Sequence, residues 1–231
     1  MRTAAILPVK RFDRAKSRLG ASVAEALRGQ LARAMVADVL RALARTAAIE
    51  RTIVVTCEPS LSQTAREHGA LLVPDGDELG QSAAVTLGVR RALADGIERV
   101  LCIPGDCPAL DPGELDALLA AHAAGADDAA EVVIVPDRHG AGTNGLLLSP
   151  PDAISPSFGP GSCERHRALA LAAGVSLREE RPPSLLLDVD TGADLAALRD
   201  RLTDGDAPAV STRAVLSQDE RPSILSIINS D

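Results

Sequence analysis

Thr3-Ala4-Ala5-Ile6-Leu7-Pro8-Val9-Lys10-Arg11-Phe12-Asp13-Arg14-Ala15-Lys16-Ser17-Arg18-Leu19 is the stretch on which the fold assignment turns. Its apolar run, Ala4 to Leu7, reads as a buried first strand that stops at Pro8, because proline lacks the donor that a central ladder needs. A loop carrying Lys10, Arg11, Arg14, Lys16 and Arg18 follows at once, and Lys10 and Lys16 are the only lysines in the chain. The chain as a whole is acidic, with 32 Asp and Glu against 24 Lys and Arg and a formal net charge of −8. Ligands of open α/β sheets bind beyond the carboxyl ends of the strands, so a local positive field at that place predicts a phosphate-rich anion. The competing reading is a solvated charged turn.

Composition bounds the rest. A chain of 231 residues is long enough for one α/β domain with a substantial core and short for two. With no Trp or Tyr and only Phe12 and Phe158, that core must be built from Leu, Val, Ile and Ala. The acidic balance argues against general nucleic-acid binding. No apolar run approaches the roughly 20 residues of a membrane span and the first residues do not read as a signal peptide, so no membrane partner and a cytoplasmic location are expected. Cys57, Cys102, Cys107 and Cys163 lack paired spacing and read as buried reduced thiols.

Strand and helix patterns alternate along the chain. Ser22 is placed to cap a long helix on which Ala32, Met35, Val36, Val39, Leu40 and Leu43 keep one apolar stripe. Thr52 to Cys57, Leu71 to Val73, Arg99 to Pro104 and Val132 to Val135 read as strands, separated by helices over Ser60 to His68, from Gly80-Gln81-Ser82 to Gly96, and from Asp111-Pro112. The unbroken run Val100 to Ile103 predicts burial on both faces, as in a parallel sheet. The pattern is that of a doubly wound α/β fold.

In the second half, His139 to Gly145 packs three glycines around Thr143 and Asn144, a loop whose backbone N–H groups are expected to approach an anion. Phe158-Gly159-Pro160-Gly161-Ser162 leads into a helix whose first N–H groups are expected to face the same cleft. Leu185 to Thr191 reads as an apolar strand ending in Asp188 and Asp190. Strand side chains alternate, so the two carboxylates fall on one face. Like charges held together call for a cation, and Mg²⁺ takes few carboxylates while keeping sites for phosphate oxygens. Asp106, just past another strand end, is a third candidate oxygen ligand. The alternative for Asp190 is a helix start, because Thr191-Gly192-Ala193-Asp194 has capping-box spacing.

Taken together, Pro8-Val9-Lys10, Ala15-Lys16-Ser17-Arg18-Leu19, Pro104-Gly105-Asp106, Pro136-Asp137 with Gly142-Thr143-Asn144, Phe158 to Ser162 with His166, and Asp188-Val189-Asp190-Thr191 resemble the CofC/FbiD guanylyltransferases of coenzyme F420 biosynthesis, over about residues 3 to 202. The resemblance implies a Rossmann-like nucleotidyltransferase fold, a mixed and mostly parallel sheet flanked by helices in a single domain over residues 1–202. It implies that GTP condenses with phosphoenolpyruvate, or in archaeal members with 2-phospho-L-lactate, releasing diphosphate.

Carried onto this chain, it assigns phosphoenolpyruvate to Thr143, Gly159 and Ser162. Asp106, Asp188 and Asp190 become Mg²⁺ ligands, catalytic together with Lys16. GTP falls to Pro8, Lys10, Lys16, Arg18, Gly80 and Ser82. A downstream transferase of the same pathway and a second copy of the chain are the protein partners it suggests. The chain departs from the family at Gly80-Gln81-Ser82-Ala83, where Gly-Leu-Asn is frequent, and at Cys107, where Leu is common. Residues 203–231 have no counterpart, and their Gly, Pro, Ser and Asp content reads as a flexible tail, with Ile224 to Ile228 able to dock on a partner. The rival readings are a nucleotidyltransferase for another phosphorylated acceptor, which would usually carry a glycine-rich first loop, and a nucleotide-sensing module, which would not need the acidic pair.

Overall fold

The structure, a computed structural model, describes residues 1–14, 16, 19, 23, 25–122, 130–203 and 208–219. In chain order the elements are β1 (Thr3–Val9), α1 (Glu25–Arg45), β2 (Arg51–Thr56), α2 (Ser62–Glu67), β3 (Leu71–Pro74), α3 (Gln81–Ala94), β4 (Arg99–Cys102), α4 (Pro112–Ala121), β5 (Glu131–Pro136), β6 (Thr143–Ser149), α5 (Ser162–Ala173), β7 (Ser176–Glu179), α6 (Gly192–Thr203) and α7 (Val210–Asp219). One seven-stranded sheet runs in the order β3-β2-β1-β4-β6-β5-β7. All neighbours are parallel except β6, which is antiparallel to both β4 and β5. This is the mixed, mostly parallel α/β sheet that the alternating pattern predicts.

The alternation of β1 explains its central place. Ala5, Leu7 and Val9 share one core with Val36, Val39 and Leu40 of α1 and Leu115 of α4. Ala4 and Ile6 share the opposite core with Ala84, Val85 and Val89 of α3 and Ala170 of α5. Helix α3 lies directly on the strand, since a Cβ at Gly88 would come within 2.5 Å of Ile6 Cγ2. The predicted stripe of α1 is buried in full, and Asp111 caps α4 by accepting the Glu114 N–H at 3.0 Å.

Several elements differ from the sequence reading. Strand β1 continues through Pro8 to Val9, paired with β2 only, because the β4 ladder ends at Ile6–Cys102 and the missing proline donor is not needed there. Leu185 to Asp190 is not a strand. It begins in a 3-10 turn (Pro183–Leu185) and continues without a ladder, joined to the strand-β4 loop by a backbone bond, Val189 N–H to Asp106 carbonyl at 3.0 Å, and by the Cys107 thiol to the Leu185 carbonyl at 3.9 Å. Strand β7, exposed throughout, closes the sheet edge unpredicted.

The segment read as a flexible tail contains α7, which packs on α1. Ala209 and Leu216 are buried in a third core with Leu31, Met35, Val189 and Leu198. Ser22 and Ile224 to Ile228 lie outside the described residues. Among those described, no helix is long and apolar enough to cross a membrane.

Candidate active site

The chain passes from β1 to β2 and β3 on one side and returns to β4 on the other, so the strand order reverses between β1 and β4. Crevices outside the carboxyl ends of strands open at such a point, and here a cleft of about 500 Å³ does so. Of the residues assigned to GTP, Pro8, Lys10, Lys16 and Gly80 line it; so do Asp106 and Asp190. Arg18 lies outside the described residues. Gly80 takes φ 101°, which only glycine adopts without strain, and so turns the chain into α3. Gln81, at the departure from the family pattern, and Cys57 also line the cleft, although the resemblance assigns neither to GTP; Cys57 is half-buried where the sequence predicts a buried thiol, the other three cysteines are buried, and all four are free.

Lys16 is the electrostatic centre. Its ammonium group donates to Asp106 Oδ2 and, at 3.1 Å, to Asp190 Oδ1, with its side chain only 8% exposed. Burial alone would lower the Lys16 pKa; the two carboxylates outweigh it and raise the value. The backbone of Lys16 has φ 59°, a left-handed conformation that a long side chain adopts only when its surroundings hold it there.

Asp188 is set differently. Its Oδ1 accepts from Asn144 Nδ2 at 3.1 Å, and burial first, then the neighbouring Asp106, push its carboxyl up to about 6. Asp188 and Asp190 flank the buried Val189 with no ladder to hold them; Asp190 is linked to Asp106 through the shared Lys16 ammonium, and Asp188 feels Asp106 as a repelling charge. The capping box is closed by Thr191 and Asp194, with the Asp190 backbone N–H, not its side chain, also donating to Asp194 at 3.2 Å. Asp194 accepts from the Thr191 N–H at 2.7 Å, and the Asp194 N–H returns to Thr191 Oγ1 at 3.3 Å. The Asp190 side chain is therefore directed to Lys16, not to the helix start.

Two features bear on a divalent cation. Asp106 Oδ1 is buried with no hydrogen-bond partner among the described residues, and Asp188 is a carboxyl whose ionised form is disfavoured where it stands. Both are conditions a cation relieves. Among the described residues no group of three His, Cys, Asp or Glu is already arranged to hold a metal, and the Lys16 ammonium stands between Asp106 and Asp190. The donor set fits a hard cation with oxygen ligands once that ammonium has moved.

Thr143, Gly159 and Ser162 come together beside the cleft, not in its lining. Ser162 Oγ donates to Thr143 Oγ1 at 3.0 Å. Gly159, at φ 108°, belongs to a loop gripped by Arg165, whose guanidinium donates to the carbonyls of Ser157 and Phe158 at 3.0 Å and to that of Pro160. Ser82 lies at this end too: its hydroxyl accepts the Phe158 N–H at 2.8 Å, which ties the start of α3 to the loop.

The loop amides behave otherwise than the sequence suggests. The N–H groups of His139, Ala141 and Gly142 all donate to the Asp137 carboxylate at 2.9 to 3.0 Å, so the anion this glycine-rich turn receives is the chain's own. Similarly, the first amides of α5 return to Gly159 and Ala141 carbonyls. Asp137 and Asn144 stand in the motifs read from the sequence without a role, and Arg165 is not singled out there, because each acts through a contact that the sequence does not display.

A family model described as "Guanylyl transferase CofC like" matches residues 3–201. The chain belongs to that family. The CofC-like assignment makes it a nucleotidyltransferase that transfers guanylyl groups. The phosphoenolpyruvate guanylyltransferase of Conexibacter woesei is 49% identical over 220 residues, covering 94% of this chain and 96% of that one. The protein of the same name from Sphaerobacter thermophilus is 39% identical over 199 residues, covering 86% and 93%. Among solved structures, a nucleotidyl transferase from Methanothermobacter superposes with a TM-score of 0.62 at 20% identity, covering 89% of this chain and 99% of that one. A CMP:2-keto-3-deoxy-manno-octonic acid synthetase in complex with CTP gives 0.59 at 13%, covering 88% and 99%. These two likenesses concern the fold.

Proposed function

We propose that this CofC-like chain joins GTP to phosphoenolpyruvate, forming enolpyruvoyl-2-diphospho-5'-guanosine and diphosphate in coenzyme F420 biosynthesis. The observation that supports it most is the Lys16 ammonium, buried between Asp106 and Asp190 on the wall of the cleft. It is a cation beside carboxylates at the place where a triphosphate meets the strand ends. An oxygen of the acceptor phosphate attacks the α-phosphorus of GTP, the bond from that phosphorus to the bridging β-oxygen breaks, and diphosphate leaves. No protein nucleophile is required.

Lys10 and Lys16 bind the triphosphate and offset charge on the transferring group. Gly80 and Gln81 bring the start of α3 to the nucleotide. Thr143, Ser162 and the Gly159 backbone hold the compact acid, and Asn144 keeps Asp188 turned toward Asp106. Mg²⁺, held by Asp106, Asp188 and Asp190, would supply neutralisation of the phosphate oxygens when bound.

The test is diphosphate release from purified protein with Mg²⁺, GTP and each of phosphoenolpyruvate, 2-phospho-L-lactate and a hexose phosphate. The expected order of kcat/KM is phosphoenolpyruvate first, 2-phospho-L-lactate lower, hexose phosphate none. Preference for 2-phospho-L-lactate would reverse the acceptor, and turnover of the hexose phosphate would defeat the reading.

A further inference from the structure

The imidazole of His166 has no part in the scheme above, yet it is completely buried beside Thr143 and Ser162. Its two nitrogens face different partners. Nε2 lies 2.9 Å from the Ser157 backbone nitrogen; an amide N–H can only donate, so Nε2 must carry a lone pair. The ring proton is then on Nδ1, 3.1 Å from Thr143 Oγ1, and the threonine oxygen accepts it. The Ser162 hydroxyl donates to that same oxygen at 3.0 Å. With both lone pairs of Thr143 Oγ1 engaged, its own proton is left to donate outside the trio. Burial first, and the nearby Arg165 second, push the His166 pKa down to about 4, so a single neutral tautomer persists at neutral pH. The Phe158 ring packs edge-on against the imidazole, 5.1 Å between centroids, and fixes its plane.

We propose that His166 is a positioning residue for the acceptor: locked as the Nδ1–H tautomer by the Ser157 N–H, it makes the Thr143 hydroxyl an obligate donor to an anionic oxygen of the bound acid. The proposal rests on the reading that Thr143, Gly159 and Ser162 hold that acid. It adds a reason for selectivity, because a phosphate or carboxylate oxygen accepts without a competing proton, whereas a sugar hydroxyl in its place must be turned to fit. One ring serves both sides of the subsite, with Nε2 holding the 157–160 loop and Nδ1 aiming the threonine.

Two amide substitutions separate the two sides. His166→Asn sets an amide nitrogen near the Nδ1 position and keeps the donor to Thr143. His166→Gln sets an amide oxygen near the Nε2 position, keeps the acceptor for Ser157 and loses the donor. His166→Gln is expected to raise KM for phosphoenolpyruvate about tenfold, the order of one hydrogen bond to a charged group, and to leave KM for GTP unchanged. His166→Asn keeps the donor and loses only the hold on the Ser157 N–H, so its KM for phosphoenolpyruvate rises less than that of His166→Gln. Thr143→Val gives a rise similar to that of His166→Gln, and the Thr143→Val, His166→Gln double variant rises no further. Equal losses in the two amide variants, or additive losses in the double variant, would overturn the proposal.

Nitrogen-15 NMR of the imidazoles in the unaltered protein reads the tautomer without any turnover. A protonated Nδ1 with an unprotonated Nε2 supports the proposal, and the reverse or an averaged pair overturns it. If the unaltered protein releases no diphosphate from GTP with any phosphorylated acid, the guanylyl-transfer reading fails, and the nitrogen spectrum still decides the state of His166.

Discussion

A carboxyl held up near 6 and an imidazole held down near 4 titrate against each other. Asp188 is raised to about 6 from 3.8, so between about pH 4 and 6 the folded chain keeps a proton that the unfolded chain has lost. Its contribution to stability therefore falls as pH rises through that window. His166 is lowered from 6.5 to about 4, so over nearly the same window the unfolded chain binds the proton and stability rises with pH. The two contributions oppose each other. Asp188→Asn removes the falling one: at pH 7 its Tm should rise by about 2–4 °C, the effect of roughly 1 kcal/mol in a chain of this size, while guanylyl transfer is lost. Its Tm should also climb more steeply than the parent's between about pH 4 and 6.5. Thermal melts over that range, without metal or nucleotide, check both; a lower Tm at pH 7 would mean that the ionised Asp188 is held by attractions stronger than its burial.

At the scale of the element, α7 is capped from another helix. Ser211 and Thr212, in its first turn, donate their N–H groups to Asp38 Oδ1 at 3.0 Å and Oδ2 at 2.7 Å; the carboxylate also accepts from Arg41 at 2.5 Å. Asp38→Ala leaves those donors unpaired and should cost about 1–3 kcal/mol, measured by denaturant unfolding; a change within error would show that water satisfies them. The same contact explains what the sequence could convey. Ala32 to Leu43 was legible because a helical stripe repeats within a few residues, and β1 because both its faces are buried. Helix α7 was not legible, since its cap lies on α1 and its composition resembles a tail. The Leu185 run looked like a strand because apolar residues crowd it, yet Pro182 and Pro183 start it in a turn and no partner strand is beside it. In the candidate site, charge and family motif pointed to Lys16, Asp106 and Asp190 and even to Asp137 and Asn144, whereas what those last two touch, and Arg165 altogether, are defined only by the fold.

For the molecule as a whole, the segment beyond the family match supports the residues within it. Helix α7 shares a core with Val189, the residue between the two acidic side chains, and with Leu19 at the end of the basic loop. Removing residues 208–231 takes Ala209 and Leu216 out of the core they share with Leu31, Met35 and Leu198, and should lower Tm by about 5–10 °C, given about 1.5–3 kcal/mol for a large buried side chain. Diphosphate release should fall with it. An unchanged melting curve would assign the segment to a dispensable tail after all. The backbone bond between Val189 N–H and the Asp106 carbonyl has a further consequence, one of timing. Lys16 is made early, Asp106 midway and Asp190 near the end, and only that late segment completes the acidic group. A nascent chain can therefore pair β1, β2 and β4 long before it can react, so in refolding catalysis should return with the last phase and never ahead of the sheet.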